Sequence, residues 1–170
     1  MSKIFNEEMK GMTGHLQIVT RNVETGEIID TFDDQNVYLD QGKTQALRAF
    51  VDGGDFRIKT IYLGSDVGTG TIMEPEEPNA NYTEEDQTVV YEVPSEDEFY
   101  ITYPEYNQVR LTAAISGPNV MVLYPNSPNV VYTSATIRTM DEKAIAYRRF
   151  PPRTISELVS VDLIWTLTLN

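Results

Sequence analysis

The sequence contains no cysteine. That excludes disulfides, thiol chemistry and cysteine-ligated zinc, and it leaves the compartment open. It contains one histidine, His15, so neither a histidine metal cluster nor a Ser-His-Asp triad can be assembled. A lone histidine beside a strand start reads as structural or exposed. No apolar run approaches the roughly 20 residues of a membrane helix. The opening MSKIFNEEMKG lacks the apolar centre of a signal peptide. The expectation is a product of the cytosol with no membrane partner, leaving the cell only as part of something larger. Positive charge is scarce, with 13 Lys and Arg against 26 Asp and Glu and a net charge of -13. Such a field repels phosphate backbones, so nucleic acid is not an expected partner, and it favours solubility.

What is present suits one β-rich domain. A chain of 170 residues with 41% hydrophobic and 23% charged residues can bury a sizeable core. Ten Tyr and many Val, Ile and Thr lean it towards strands. The strongest pattern lies at the end, from Leu158 to Leu169. Val159, Val161, Leu163, Trp165, Leu167 and Leu169 alternate with Ser160, Asp162, Thr166 and Thr168, and Ile164 is the exception. A strict period of two predicts a strand with one buried face, carrying the only Trp, paired between two others.

Residues 1–13 are polar with scattered Met and Phe and read as an arm ahead of a single domain over 14–170. His15 to Phe32 predicts a hairpin turning at Glu24–Glu27, with Gly26 suited to positive φ. Asp33–Asn36 breaks the pattern, and Val37–Leu39 is a brief extended piece. Asp40 then caps a helix over Gln41–Val51, with Ala46, Leu47, Phe50 and Val51 on one face and Gly53-Gly54 as the stop. Arg57–Leu63 is a strand. Residues 65–86 lose all periodicity and carry the acidic cluster Glu74, Glu76, Glu77, Glu84, Glu85 and Asp86, which predicts a long exposed loop. Thr88–Val93, Phe99–Tyr103, Val109–Ile115, Val120–Tyr124, Val131–Ile137 and a short piece over 144–150, before Pro151-Pro152, precede the terminal strand. About nine or ten strands with one short helix predict a mainly β fold, an antiparallel jelly-roll-like sandwich or a flattened barrel.

Little in this chain points to catalysis. Gly64–Gly70 is glycine-rich but lacks the Lys of a phosphate loop, and acidic residues follow it. Asp33, Asp34 and Asn36 lack the calcium-loop spacing with its closing Glu. Glycosidase chemistry needs two carboxylates at a set separation across a cleft, which no local spacing here encodes. The expectation is a non-enzymatic chain with no cofactor or metal. Two features suit binding. Tyr82, Tyr91, Tyr100, Tyr103, Tyr106, Tyr124 and Tyr132 are either half-buried strand residues or an interface and sugar platform. Arg148, Arg149 and Arg153 form a basic cluster that either guides assembly against a neighbour's acidic flank or pairs with carboxylates of its own chain.

The order of the pieces carries a resemblance. Asn36-Val37 precedes Gly42-Lys43 at a short helix containing Ala46-Leu47. A strand then ends in Leu63-Gly64 before Gly68-Thr69-Gly70. Val109–Ile115, Ala144–Phe150 (AIAYRRF) and the strand around Trp165 follow. Over roughly residues 14–170 this resembles the small virion structural proteins of tailed bacteriophages, the tail, baseplate, collar and fibre-associated group. Ile137–Met140 stands where that group commonly carries a Glu-containing segment. The resemblance implies a symmetric homo-oligomeric subunit of the tail, baseplate or collar, located on the virion and contacting other virion proteins. No enzymatic residues come with it. Expected contacts are residues 1–13, the loop 65–86 with Glu74, Glu76 and Glu77, and Arg148, Arg149 and Arg153. The rival is a carbohydrate-binding module for a host glycan, in which Tyr124 and Tyr132 beside Pro125–Asn129 form a shallow sugar platform.

Overall fold

The computed structural model describes residues 12–38, 40–55, 57–65, 88–94 and 99–170. Residues 1–11 of the expected arm and 66–86 of the expected loop lie outside them. The elements are β1 (Met12–Asn22), β2 (Ile28–Tyr38), α1 (Asp40–Val51), β3 (Ile58–Ser65), β4 (Thr88–Pro94), β5 (Phe99–Thr102), β6 (Gln108–Ser116), α2 (Gly117–Met121), β7 (Val130–Thr139), β8 (Ala144–Ile155) and β9 (Val159–Leu169).

The first hairpin forms where the alternation predicts it. Gly26 adopts φ +71° and donates its N–H to Asn22 O at 2.8 Å, a conformation that strains any residue with a Cβ. Asp33–Asn36 does not break the chain as expected. β2 runs through it, with Asp33 opposite Gln17 and Gln35 opposite His15. Asp33, Asp34 and Gln35 are tolerated because they are exposed, and the two carboxylates are ion-paired, Asp33 with His15 and Asp34 with Arg148.

The strands form two antiparallel sheets. One has the order β2–β1–β9–β6–β5 and the other β4–β3–β7–β8–β2. β2 belongs to both, pairing with β1 through Asn36 and then with β8 at Val37 and Tyr38. The result is a β-sandwich hinged along β2, with β4 and β5 as the outer strands; it is not a closed barrel. β9 lies between β1 and β6, Leu163 standing opposite both Ile18 and Ala113. Its alternation becomes the core directly: Val161, Leu163, Trp165 and Leu167 are buried against Ile61, Leu63, Ile137, Ile145 and Ile155 of the facing sheet.

Two expectations fail for reasons of packing. Val120–Tyr124 is no strand; α2 and a turn occupy it. Pro118 at the helix start has no N–H to leave unpaired, and Val120 and Met121 bury one helical side. β8 does not stop before Pro151-Pro152. Tyr132 pairs with Arg153 and Ser134 with Arg149, so Phe150, Pro151 and Pro152 stand opposite Thr133 alone. A bulge of this kind lets prolines remain in a strand, since the ladder asks nothing of their missing donors.

α1 packs on β8 through its polar side. A Cβ at Gly42 would sit 2.7 Å from Ile145 Cα, so only glycine allows this approach. Gln45 is buried and donates through Nε2 to Asp55 O at 3.0 Å and Asp141 Oδ2 at 2.5 Å. Gly53, at φ +81°, ends the helix, and Gly54 N–H returns to Arg48 O at 3.1 Å. Leu47, Phe50 and Val51 are left facing solvent.

Candidate interaction surface

The basic cluster lies where β2 parts from β8. Arg148 donates through Nη2 to Asp34 Oδ2 at 2.6 Å. Arg153 donates to Pro151 O at 3.0 Å and Thr31 O at 3.4 Å, with Nε 3.4 Å from Asp30 Oδ2. Both guanidinium groups stack on Phe32, at 5.9 and 4.9 Å from the ring centre. Phe32 packs on Phe150 at 5.5 Å, and Phe150 meets Tyr132 edge-on at 5.6 Å. This is an intramolecular seam that closes the wedge between the sheets. Of the two readings of the cluster, pairing with its own carboxylates is the one that Arg148 and Arg153 follow; Arg149 is half-buried on the same strand.

Tyr132 belongs to that seam and is fully buried, so it cannot serve as a contact or sugar platform. Burial pushes its phenol well above the ordinary value of 10.0, with Arg153 and Thr20 pulling back. Glu74, Glu76 and Glu77 lie outside the described residues.

A cleft opens at the end of the sandwich that carries the β1–β2 and β8–β9 turns. It encloses about 470 Å³ between Tyr124, Pro125 and Pro128 on one side and Ser156, Glu157 and Leu158 on the other. Tyr124 is half-buried and donates its hydroxyl to Val90 O at 2.5 Å, which fixes the ring as a wall. The turn holding Leu158 is tied down by Val23 N–H on Leu158 O at 3.0 Å.

The larger apolar exposure lies elsewhere. β5 is the last strand of its sheet, and Tyr100, Ile101 and the adjoining Tyr103 and Tyr106 are largely or fully exposed, Tyr106 completely so. The turn they enter is fixed to β9 by Leu169 N–H on Asn107 O at 2.9 Å and by Asn107 Nδ2 on Leu169 O at 3.0 Å. Leu47, Phe50 and Val51 of α1 add a second exposed apolar strip, Phe50 being 91% exposed. Aromatic side chains held out on rigid elements are the usual material of protein interfaces.

At the far end of β7, the charges pair among themselves. Lys59 and Glu142 form an ion pair that raises the Lys59 pKa and lowers that of Glu142, mainly through their hydrogen bond. Arg138 joins them, 3.0 Å from Glu142 and over the Tyr62 ring at 4.7 Å. Arg57 holds the Asp55 carboxyl below its ordinary value, chiefly by a side-chain hydrogen bond. Among the described residues no group of three or more His, Asp or Glu side chains is placed to hold a metal ion, and no helix is long and apolar enough to cross a membrane.

The chain matches no family model, no curated protein and no solved structure. Three of the tyrosines singled out from the sequence, Tyr100, Tyr103 and Tyr106, lie on the exposed surface, whereas Tyr132 belongs to the core. Ile101 and Phe50 were not foreseen as surface residues. A readable signal for Ile101 is the absence of any charge from Phe99 to Pro104 in so acidic a chain. No such signal distinguishes Phe50, because its helical spacing is that of a buried face.

Proposed function

We propose that this chain is a non-enzymatic structural subunit of a tailed-phage virion, assembling as a symmetric homo-oligomer in the tail, baseplate or collar. The observation that carries the assembly part is the exposed apolar edge formed by Tyr100, Ile101, Tyr103 and Tyr106, held on a sandwich most of whose described arginines pair with carboxylates of the same chain. An acidic monomer with a net charge of -13 gains nothing from such an edge unless another surface covers it. The virion part rests on the resemblance of the ordered motifs. Those motifs fall on framework positions here: Gly42 at the helix contact, Val109–Ile115 in β6, Ala144–Phe150 in β8 and Trp165 in the centre of β9.

Light scattering on the purified chain across concentration and ionic strength tests the assembly. A defined oligomer is expected, and a monomer under every condition overturns it. Incorporation of a tagged chain into particles tests the address, and a chain found only in the soluble fraction of infected cells speaks against it.

A second reading, a module that binds a host glycan, is favoured by the cleft alone. Tyr124 lines it together with Ser127, Ser156 and Glu157, an aromatic wall with polar residues around it. Glycan-array binding lost on Tyr124→Ala supports this reading, and a blank array removes it.

A further inference from the structure

We propose that the free edge of β5 pairs with β5 of a second copy of this chain, antiparallel and about a two-fold axis centred on Ile101. The inference rests on the oligomeric reading above and names its interface.

β5 hydrogen-bonds to β6 on one side only; among the described residues no strand lies on its other side. A row of backbone donors and acceptors on an outer strand is a template for another strand, and natural sheets usually guard it with a bulge, a proline, a lysine or an inward-pointing charge. None of these guards is present in β5. Its pairing with β6 runs from Phe99–Ala113 to Thr102–Arg110 without a shift in register, so the strand is regular. The sequence FYIT carries no charge and no proline, and three of its four residues are exposed. Strongly β-forming, neutral and exposed residues on an outer strand favour pairing with an extended segment of the same kind.

Charge points to a second copy as the occupant. Two molecules each carrying -13 repel one another over most of their surfaces, and the repulsion is smallest where both present neutral residues. Phe99–Pro104 is such a stretch, and it is self-complementary. With Ile101 opposite Ile101 of the second copy, Tyr100 meets Thr102 and Phe99 meets Tyr103, in both directions. Aromatic and β-branched cross-strand pairs of this kind stabilise antiparallel sheets. The outcome is one continuous sheet across the two-fold axis, an isologous contact.

The absence of native cysteine makes the test direct. Ile101→Cys in the full chain places two thiols opposite each other across the axis, while Glu24→Cys in the exposed β1–β2 turn is the control. Under mild oxidation Ile101→Cys should form a covalent dimer at least about tenfold faster than the control, because pairing raises the local thiol concentration. Ile101→Lys puts like charges on the axis and should raise the concentration for half-dissociation about tenfold, with the circular dichroism of the folded chain retained. If Ile101→Cys links no faster than Glu24→Cys and Ile101→Lys associates as the parent chain does, while the parent remains oligomeric, the edge is not the interface and the oligomeric reading stands. A parent chain that is monomeric at all concentrations overturns both.

Discussion

The guanidinium carbon of Arg153 lies 4.9 Å from the centre of the Phe32 ring and 5.6 Å from that of Phe150. This contact joins β8 to β2 where the two strands no longer share a ladder. The planar cation covers the rings and reaches Asp30, so it seals the wedge between the sheets without a further hydrophobic residue. Asp30 is about half exposed, which screens the Coulomb part, and the stacking and the packed stem carry most of the stabilisation. Arg153→Ala should lower the unfolding free energy by about 2 kcal/mol. Arg153→Lys, which keeps the charge and loses the plane, should recover only part of it. Urea titration of the three proteins measures both.

Gly117 is held by backbone on two sides. A Cβ there would lie 2.0 Å from Ser156 O and 2.1 Å from Val159 O, neither of which can rotate away. Gly117→Ala should therefore destabilise the fold by about 3 kcal/mol or more. Gly42→Ala, whose Cβ would meet Ile145 Cα at 2.7 Å, should loosen α1 from β8 at a cost of about 2 kcal/mol. Thermal melts rank the two, and a change under 0.5 °C for Gly117→Ala would show that the turn at Ser156 yields freely.

Trp165 is the only Trp and is fully buried between the sheets. Its fluorescence should be blue-shifted and shielded from acrylamide in the native chain, and both properties should vanish in a single step on unfolding. Trp165→Ala should cost about 4 kcal/mol, as large-to-small changes in a close-packed core do.

Alkaline pH should weaken the fold through two groups. Tyr132 and Lys59 both have pKa values raised in the folded chain, Tyr132 by burial and Lys59 by its hydrogen bond to Glu142. A raised folded pKa contributes stability below the unfolded value that is lost as pH climbs from there through the folded value. The decline should thus begin near the ordinary values of 10.0 for the phenol and 10.5 for the ammonium. Tyr132→Phe should flatten it while changing stability at pH 7 by no more than about 1 kcal/mol, since the buried hydroxyl makes no well-formed hydrogen bond. At the acid end, Asp55 and Glu142 have lowered values, so their contribution should be lost as pH falls below 3.8 and 4.5.

Phe50 is the counter-case on α1. At 91% exposure, Phe50→Ser should change the stability of the monomeric chain by less than about 0.5 kcal/mol. A loss of several times that size at concentrations where the chain is monomeric would mean that the helix face is covered within the same chain.

Much of the framework was legible because a period of two is a local property. The alternation in β1, β6, β7 and β9, the turn at Gly26 and the helix ending at Gly53-Gly54 follow from neighbouring residues alone. The errors came where a distant contact overrode the local pattern. Val120–Tyr124 has the composition of a strand, yet the backbone at Ser156 and Val159 admits only glycine at 117 and sends the chain into a helical turn. Asp33–Asn36 looks like a break, yet Arg148 and His15 compensate its charges. The same limit applied to the candidate site. The three exposed tyrosines and Tyr132 are alike in composition, and only their places in the sheets separate surface from core.

Sequence by itself determined the class of this protein: a mainly β, acidic chain without thiols, with one strongly patterned terminal strand that carries the only Trp. The tertiary structure alone decided the rest. It determined that β2 serves both sheets, that Arg148 and Arg153 close a seam within the chain, and that among the described residues no strand lies beyond the neutral β5. The physical reason is that burial and charge pairing depend on which residues meet across the sandwich, such as Arg148 with Asp34 at 2.6 Å, and sequence distance carries no record of those meetings.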